Sequence, residues 1–413
     1  MLSRLNITIT FLRQVLDDLC KTFLKHLRSR LSRPVAKGRS ITLGFDGYPF
    51  VEPLTGIGRY AEHLLKNFAG REDVTINLYT HTLIPERAGS GLFISLEGLT
   101  NVKYRRHAIP ANILLGEKIW FGFGAAVLTP LFIALDGNDV FFAPNFVTPK
   151  LFRVIGKKVI TIHDCTFAVY PELLQRETLH NLSKRLPAEV NDAARIIAVS
   201  TQTQKDVARI FSVPRSKIAV VHHGNPIESI SPVDIPNQPY LLVVGTLEPR
   251  KNIAAVLDAF EMVRQQGVPL NLNIVGKVGW KSDSIRQKLA HHPFAHAISH
   301  VSYAPSEHLG SYYQQAFCLV FPSRYEGFGL PVLEAMSMGC PVVTTPLESI
   351  TGVGGDACLY VGPSPNEIAE GIMRLYEDPQ LREDLVAKGK ARARPFSWQK
   401  CAEQTLDVLT DVI

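Results

Sequence analysis

Two carboxylates, two adjacent cations and one histidine stand where short apolar runs break into glycine-rich turns. Glu326 and Glu334 belong to the stretch Phe-Pro-Ser-Arg-Tyr-Glu-Gly-Phe-Gly-Leu-Pro-Val-Leu-Glu between Phe321 and Glu334. Leu319–Pro322 ends an apolar run that reads as a buried parallel strand, and Gly327 and Gly329 let the backbone approach a ligand closely. Pro331 suits the first position of a helix, where its missing N–H is no loss, and Gly339 suits its end. The helix is thus expected to run to about Met338, with Glu334 in its first turn. Gly327, Phe328, Gly329 and Leu330 would then present backbone N–H groups at the positive end of a helix, a place for phosphate. Carboxylates beside a phosphate are repelled by it, so Glu326 and Glu334 make sense as acceptors for paired hydroxyls. A ligand carrying both features is a nucleoside-diphosphate sugar.

A second strand-to-helix turn reads Val244-Gly-Thr-Leu-Glu-Pro-Arg-Lys-Asn252. Arg250 as a fork and Lys251 as a point charge suit a diphosphate. They would also supply the positive field that stabilises a departing diphosphate, since the chain has no Asp-x-Asp metal motif. A third run, Val159-Ile-Thr-Ile-His-Asp-Cys165, places His163 at a strand's carboxyl end, where it can orient a hydroxyl or modulate charge; a structural His-Asp pair is the plainer alternative. A fourth, Thr55-Gly-Ile-Gly-Arg-Tyr60, is a glycine-rich helix start with Thr55 as cap and Gly56 and Gly58 as close-approach points.

The stretch Pro-Ser-x-x-Glu-Gly-Phe-Gly-Leu-Pro-x-x-Glu resembles the Glu-x7-Glu signature of the retaining glycosyltransferases of family 4, which have the GT-B fold. The resemblance extends from about Ile41 to the C-terminus. It implies a donor-binding role for Gly56, Gly58, Arg250, Lys251, Gly327, Phe328, Gly329, Leu330 and Glu334. It also implies that Glu326 would hold the donor sugar and Glu334 the ribose, with His163, Glu326 and Lys251 as the catalytic residues. It implies no protein nucleophile, no metal and no cofactor beyond the substrate. The family's usual Gly-Arg clamp is altered, with Thr246 after the glycine, so the arginine's task would pass to Arg250. Gly276-Lys277-Val-Gly-Trp280 also matches, with Lys277 and Trp280 beside the base, and Gly352-Val-Gly-Gly355 lies where relatives bring a loop toward the nucleotide. The run Val-Gly-Thr-Leu-Glu-Pro-Arg-Lys-Asn is similar to bacterial mannosyltransferases of surface polysaccharide assembly. That favours GDP-mannose as donor and a lipid-linked oligosaccharide as acceptor. A non-catalytic nucleotide-sugar binder and a GT-B isomerase or phosphorylase are the competing readings.

The elements that must position these residues follow from the pattern. Short β-branched runs alternate with helical periodicity, as in an α/β protein of two doubly wound, Rossmann-like domains facing each other across a cleft. Strands are expected at Ile41–Asp46, Val74–Thr80, Val140–Ala143, Lys158–Ile162, Ile196–Val199 and Ile218–His222, closing a domain of residues 41–225. A proline-rich linker follows at 226–239. The second domain, 240–395, would hold strands at Tyr240–Gly245, Leu270–Gly276, Ile298–Tyr303, Cys318–Phe321, Val342–Thr344 and Cys358–Val361. A helix over 396–413 would cross back to the first domain.

At 413 residues, 46% apolar and 20% charged, the chain has the composition of an ordinary soluble globular protein with two or three domains. Six cysteines without a Cys-x-x-Cys pair read as reduced core residues of a cytosolic protein. Of the whole chain's +6, residues 1–40 hold +7 (nine Lys/Arg against Asp17 and Asp18), which leaves −1 for the rest and argues against nucleic acid. Residues 5–31 show helical apolar spacing with cations toward one end. A basic amphipathic helix suits the cytoplasmic face of the inner membrane or a protein partner, with a docked extra helix as the alternative. No secretory signal is expected, and the uncharged stretch Ile119–Leu135, broken by glycine and proline, reads as a buried or interfacial helix rather than a span.

Overall fold

The computed structural model describes residues 40–50, 56–79, 98–105, 133, 136–146, 148, 157–227, 230–233, 235 and 238–413. The basic leader, Thr55 and all of Ile119–Leu135 except Ile133 therefore lie outside the described residues. The rest forms two parallel sheets flanked by helices, an α/β architecture with two Rossmann-like halves.

The first sheet contains β1 (Ile41–Asp46), β2 (Val74–Tyr79), β3 (Val102–Arg105), β4 (Val140–Ala143), β5 (Lys157–Ile162), β6 (Arg195–Ala198) and β7 (Ile218–Val220), in the order β3-β2-β1-β4-β5-β6-β7. The second contains β8 (Tyr240–Val244), β9 (Asn271–Val275), β10 (Ile298–Val301), β11 (Cys318–Phe321), β12 (Val342–Thr344) and β13 (Leu359–Tyr360), in the order β10-β9-β8-β11-β12-β13. Strand order reverses between β1 and β4 and again between β8 and β11. At such a switch point the loops leaving the two strands diverge to opposite faces and open a crevice at their carboxyl ends.

The helices relevant below are α1 (Gly56–Phe68), α2 (Thr166–Val169), α3 (Arg176–Asp192), α4 (Thr201–Phe211), α5 (Ile253–Gln265), α6 (Asp283–Ala290), α7 (Ser306–Gln315), α8 (Leu330–Met338), α9 (Glu348–Gly354), α10 (Pro365–Glu377), α11 (Pro379–Ala393) and α12 (Trp398–Thr410). By contact density the chain divides into two compact units. One gathers the described residues up to Thr161 with Leu186–Ile197 and Ala402–Ile413; the other gathers Ile162–Arg185 and Ala198–Cys401.

Strands β8, β11 and β12 of the second sheet are largely apolar because both faces are covered, whereas the edge strand β10 exposes Ser299 and His300. Side chains alternate, so Leu241, Val243, Leu272, Ile274 and Val320 face one core, closed by Val256 and Phe260 of α5 and Ile368 and Ile372 of α10. Leu242, Val244, Val275, Leu319 and Phe321 face the other, closed by Val332, Leu333 and Met336 of α8 and by Tyr313 of α7. Helix α10 starts on a complete capping box between Ser364 and Glu367. The described part of the proline-rich segment is itself packed. Ile227 and Ile235 join the second core, and Ser231 both donates its N–H to the Glu307 carbonyl and accepts from Ser311 Oγ. The five described cysteines are buried. Among the described residues no helix is long and apolar enough to cross a membrane.

Candidate functional site

The second unit's site is built where β8 and β11 end side by side. After β8 the chain turns through Gly245 to a short 3-10 turn, Pro249–Lys251, and Asn252, at φ 57°, swings it into α5. This places Arg250 and Lys251 against the loop leaving β11. Lys251 Nζ donates to Glu326 Oε1 at 2.6 Å, and Arg250 Nη1 donates to Glu326 Oε2 at 2.9 Å and to the Tyr325 carbonyl at 2.9 Å. The rest of the Arg250 fork points back, Nε and Nη2 both reaching Glu248 Oε1 at 3.0 and 2.7 Å. The backbones are stitched as well, Arg324 N–H donating to the Arg250 carbonyl at 2.9 Å.

Glu326 and Glu248 are buried and Arg250 and Lys251 half-buried, and for Glu326, Lys251 and Arg250 burial competes with pairing. Burial alone pushes the Glu326 carboxyl up, but Arg250 and Lys251 outweigh it and hold it at about 2. Burial lowers the Lys251 ammonium, and Glu326 offsets only part of that, so it stays below its ordinary value. For Arg250 burial also acts downward, yet Glu326 and Glu248 prevail and its pKa is raised. With two carboxylates against two cations the cluster is balanced. It differs from the bare pair of cations that the sequence suggests, because the expected sugar ligand Glu326 and the expected diphosphate ligands are bonded to each other.

The loop after Glu326 is shaped by glycine for reasons of space. A Cβ on Gly327 would stand 1.7 Å from the His163 carbonyl oxygen, so no side chain fits where these two turns meet. Gly329 caps α8 at φ 99°, a left-handed conformation open to glycine. Helix α8 begins at Leu330, one residue before the expected Pro331, which alters the reading of Glu334. It is the fifth helical residue, outside the first turn, and its Oε2 accepts from Tyr313 Oη at 2.6 Å. Burial and the Glu334 carboxylate together push the Tyr313 phenol well up, so it remains the donor.

His163 follows β5, and its ring stacks on that of His223 at 5.6 Å between centroids and 6° between planes. His223 in turn meets Phe328 edge-on at 5.0 Å and Trp398 at 5.8 Å. Burial, then the neighbouring His163 and His222, hold His223 well below the ordinary imidazole value, so it is a neutral ring at pH 7. Two residues past His163, the Cys165 N–H donates to Tyr325 Oη at 3.1 Å, and Tyr325 Oη donates to Asp206 Oδ2 of α4 at 2.8 Å. Thr203 of α4 donates to the Gly327 carbonyl at 3.3 Å. The structure therefore brings His163, Arg250, Lys251, Glu326, Gly327 and Phe328 into one connected constellation, supported by Tyr325, Asp206, Glu248 and His223, which the sequence reading did not single out. His222-His223 comes one residue after the end of β7, so the argument applied to His163 would have found His223.

The remaining expected residues sit elsewhere. Gly56 and Gly58 open α1 in the first unit; Gly58 is buried, and Gly56 has no heavy atom within 4 Å of a would-be Cβ. Trp280 Nε1 donates to the Leu173 carbonyl at 2.6 Å, so its indole is anchored to a neighbouring turn, and Lys277 is exposed. Gly352–Gly355 is a correction to the expected loop. It forms the last turn and cap of α9, whose carbonyls on Gly352 and Val353 accept from Arg392 at 2.7 and 2.9 Å. A helix carboxyl end carries negative partial charge and suits a cation, not a phosphate. Among the described residues no three His, Cys, Asp or Glu side chains group to hold a metal ion.

Family comparisons match this geometry. Residues 228–392 fit the model described as glycosyl transferases group 1, and residues 54–228 fit glycosyltransferase family 4. The O-antigen chain mannosyltransferase B of Escherichia coli is 30% identical over 383 residues, spanning 88% of this chain and 98% of that protein. Among solved structures, sucrose-phosphate synthase from Thermosynechococcus elongatus aligns with a TM-score of 0.68 at 19% identity, covering 90% of this chain and 98% of the other. Anabaena HepE, solved in complex with UDP and glucose, aligns at 0.64 and 17% identity, covering 90% and 100%. At those identities the structural likeness speaks for the fold.

Proposed function

This chain belongs to the group 1, family 4 glycosyltransferases, and from that premise we propose that it moves a hexosyl group, mannosyl in the first instance, from a nucleoside-diphosphate sugar to an acceptor hydroxyl with retention of anomeric configuration. The observation that carries the reading is Glu326 held between Lys251 and Arg250 at the β8/β11 switch point. A carboxylate kept at about 2 and clamped by two cations is a poor proton donor and a damped nucleophile. What it does well is accept hydrogen bonds, which is what a sugar diol offers.

In this reading Lys251 takes the diphosphate, helped by the backbone amides of Gly327–Leu330 and the start of α8. Glu326 holds sugar hydroxyls, Glu334 the ribose, and His163 stands at the reacting centre on its neutral partner His223. As the glycosidic bond breaks, the electron pair leaves with the diphosphate, whose oxygen takes the acceptor's proton while the acceptor oxygen bonds to the anomeric carbon on the same face. No protein nucleophile and no metal enter this path. The Escherichia coli O-antigen chain mannosyltransferase supports a mannosyl group and a surface-polysaccharide acceptor; GDP as the nucleotide and a lipid-linked oligosaccharide as the acceptor are part of the proposal. A lipid-linked acceptor also gives the basic residues 1–40 a purpose at the cytoplasmic face of the membrane.

The test is a thermal-shift screen across UDP-, GDP-, ADP- and TDP-sugars. A true donor at 100 times its Kd adds about 2.7 kcal/mol of stability. GDP-mannose is expected to raise Tm most, in EDTA as well as without it. A protein that no nucleotide sugar stabilises overturns the reading.

A further inference from the structure

The site holds one carboxylate that a diphosphate clamp does not call for. Glu248 lies at the mouth of β8, is 2% exposed, and sits two residues from Arg250 in a place expected to receive two phosphates. A buried carboxylate is expensive unless paired, and its charge opposes the ligand. The arginine explains it. Of the five N–H groups of Arg250, four are spent: Nε and Nη2 on Glu248 Oε1, and both Nη1 hydrogens on the Tyr325 carbonyl and Glu326 Oε2. Lys251 is committed far less. Among the described residues its ammonium makes one hydrogen bond, to Glu326 Oε1, and otherwise rests over the Phe321 ring at 4.8 Å.

We propose that Arg250 is a positioning residue rather than a diphosphate ligand: Glu248 fixes its guanidinium, the guanidinium fixes Glu326, and Lys251 alone is the exchangeable cation. This rests on the donor reading above and sharpens it. When diphosphate arrives, Lys251 turns from Glu326 Oε1 to a phosphate oxygen. Arg250 keeps Oε2 in place, and Oε1 is released to accept a sugar hydroxyl. Recognition of the two ends of the donor is then coupled, since the sugar's acceptor is uncovered by the phosphate's cation.

The coupling separates the two cations experimentally. Calorimetric titration of the full chain with GDP and with GDP-mannose, and in parallel with UDP and UDP-glucose, compares ligands with and without the sugar. Lys251→Met is expected to weaken the bare nucleoside diphosphate by about tenfold to a hundredfold, the loss of one charge-assisted hydrogen bond. Arg250→Lys and Glu248→Gln are expected to leave the bare nucleoside diphosphate within about twofold of wild type. They are expected to abolish the extra affinity that the sugar confers and to lower kcat by about tenfold or more. Arg250→Lys keeps the charge but not the fork, so it decides the matter even where Glu248→Gln fails to fold. If Arg250→Lys weakens bare nucleoside diphosphate as much as Lys251→Met does, the proposal is wrong while the donor reading stands. If wild type binds none of the four ligands, the donor reading itself is wrong, and the premise goes with it.

Discussion

Replacing Glu326 by glutamine keeps its shape and removes one charge, which isolates what the ion pairs contribute. In the folded chain the carboxyl sits at about 2 rather than the ordinary 4.5. At about 1.4 kcal/mol per pH unit, that difference amounts to about 3 kcal/mol of stability at pH 7. The figure agrees with the 3–5 kcal/mol expected when a buried ion pair loses one partner. Arg250 would retain Glu248, whereas Lys251 would lose the carboxylate it is paired with. Because the folded value lies below the unfolded one, the stabilisation is complete above about pH 4.5 and is lost as pH falls through about 2. Urea unfolding of Glu326→Gln and its parent, in a Trp120→Phe background where Trp280 and Trp398 report, measures the gap directly. It should be about 3 kcal/mol at pH 7 and narrow by about 2 kcal/mol at pH 3. Equal stability at pH 7, or a gap that does not change with pH, would refute the electrostatic account of the triad.

Three other changes probe the scaffold around it. Tyr325→Phe leaves the buried Cys165 N–H without its acceptor and removes a donor from Asp206; a loss of about 1–3 kcal/mol should appear as a lower Tm. Gly327→Ala forces a methyl group to within 1.7 Å of the His163 carbonyl, so both nucleotide-sugar binding and turnover should collapse. Gly56→Ala, which meets nothing within 4 Å, should leave Tm close to that of the parent. Cys340 and Cys358, which burial pushes up to about 12, should react with a disulfide reagent only after unfolding, as stopped-flow absorbance would show.

The sheets were legible because a strand buried on both faces must be apolar along its whole length. Val140–Ala143, Cys318–Phe321 and Val342–Thr344 carry no polar residue except Cys318 and Thr344, and their ends fall where the pattern places them. Strand β3, Val-Lys-Tyr-Arg, escaped notice because an edge strand of four residues with two cations has neither a continuous apolar run nor a long alternation. The site was legible as separate motifs but not as a circuit. Glu326 meets Arg250 and Lys251 across 75 or more residues of chain, a contact that exists only because β8 and β11 are neighbours. Nothing local in either segment announces it. Tyr325 on Asp206 and His163 on His223 are likewise contacts between distant parts of the chain with no local signal in either segment. Glu334 illustrates a smaller limit, since one residue of difference in where a helix starts moves a side chain out of its first turn.

Transfer itself is the most direct measurement. Purified full chain, GDP-mannose and an oligosaccharide acceptor from surface polysaccharide synthesis are incubated in EDTA, and the new linkage is read by NMR for anomeric configuration. The expected product carries the donor's configuration, forms without added metal, and is lost in Lys251→Met and Glu326→Gln. An inverted linkage, complete inhibition by EDTA, or undiminished transfer in those two variants would contradict the account.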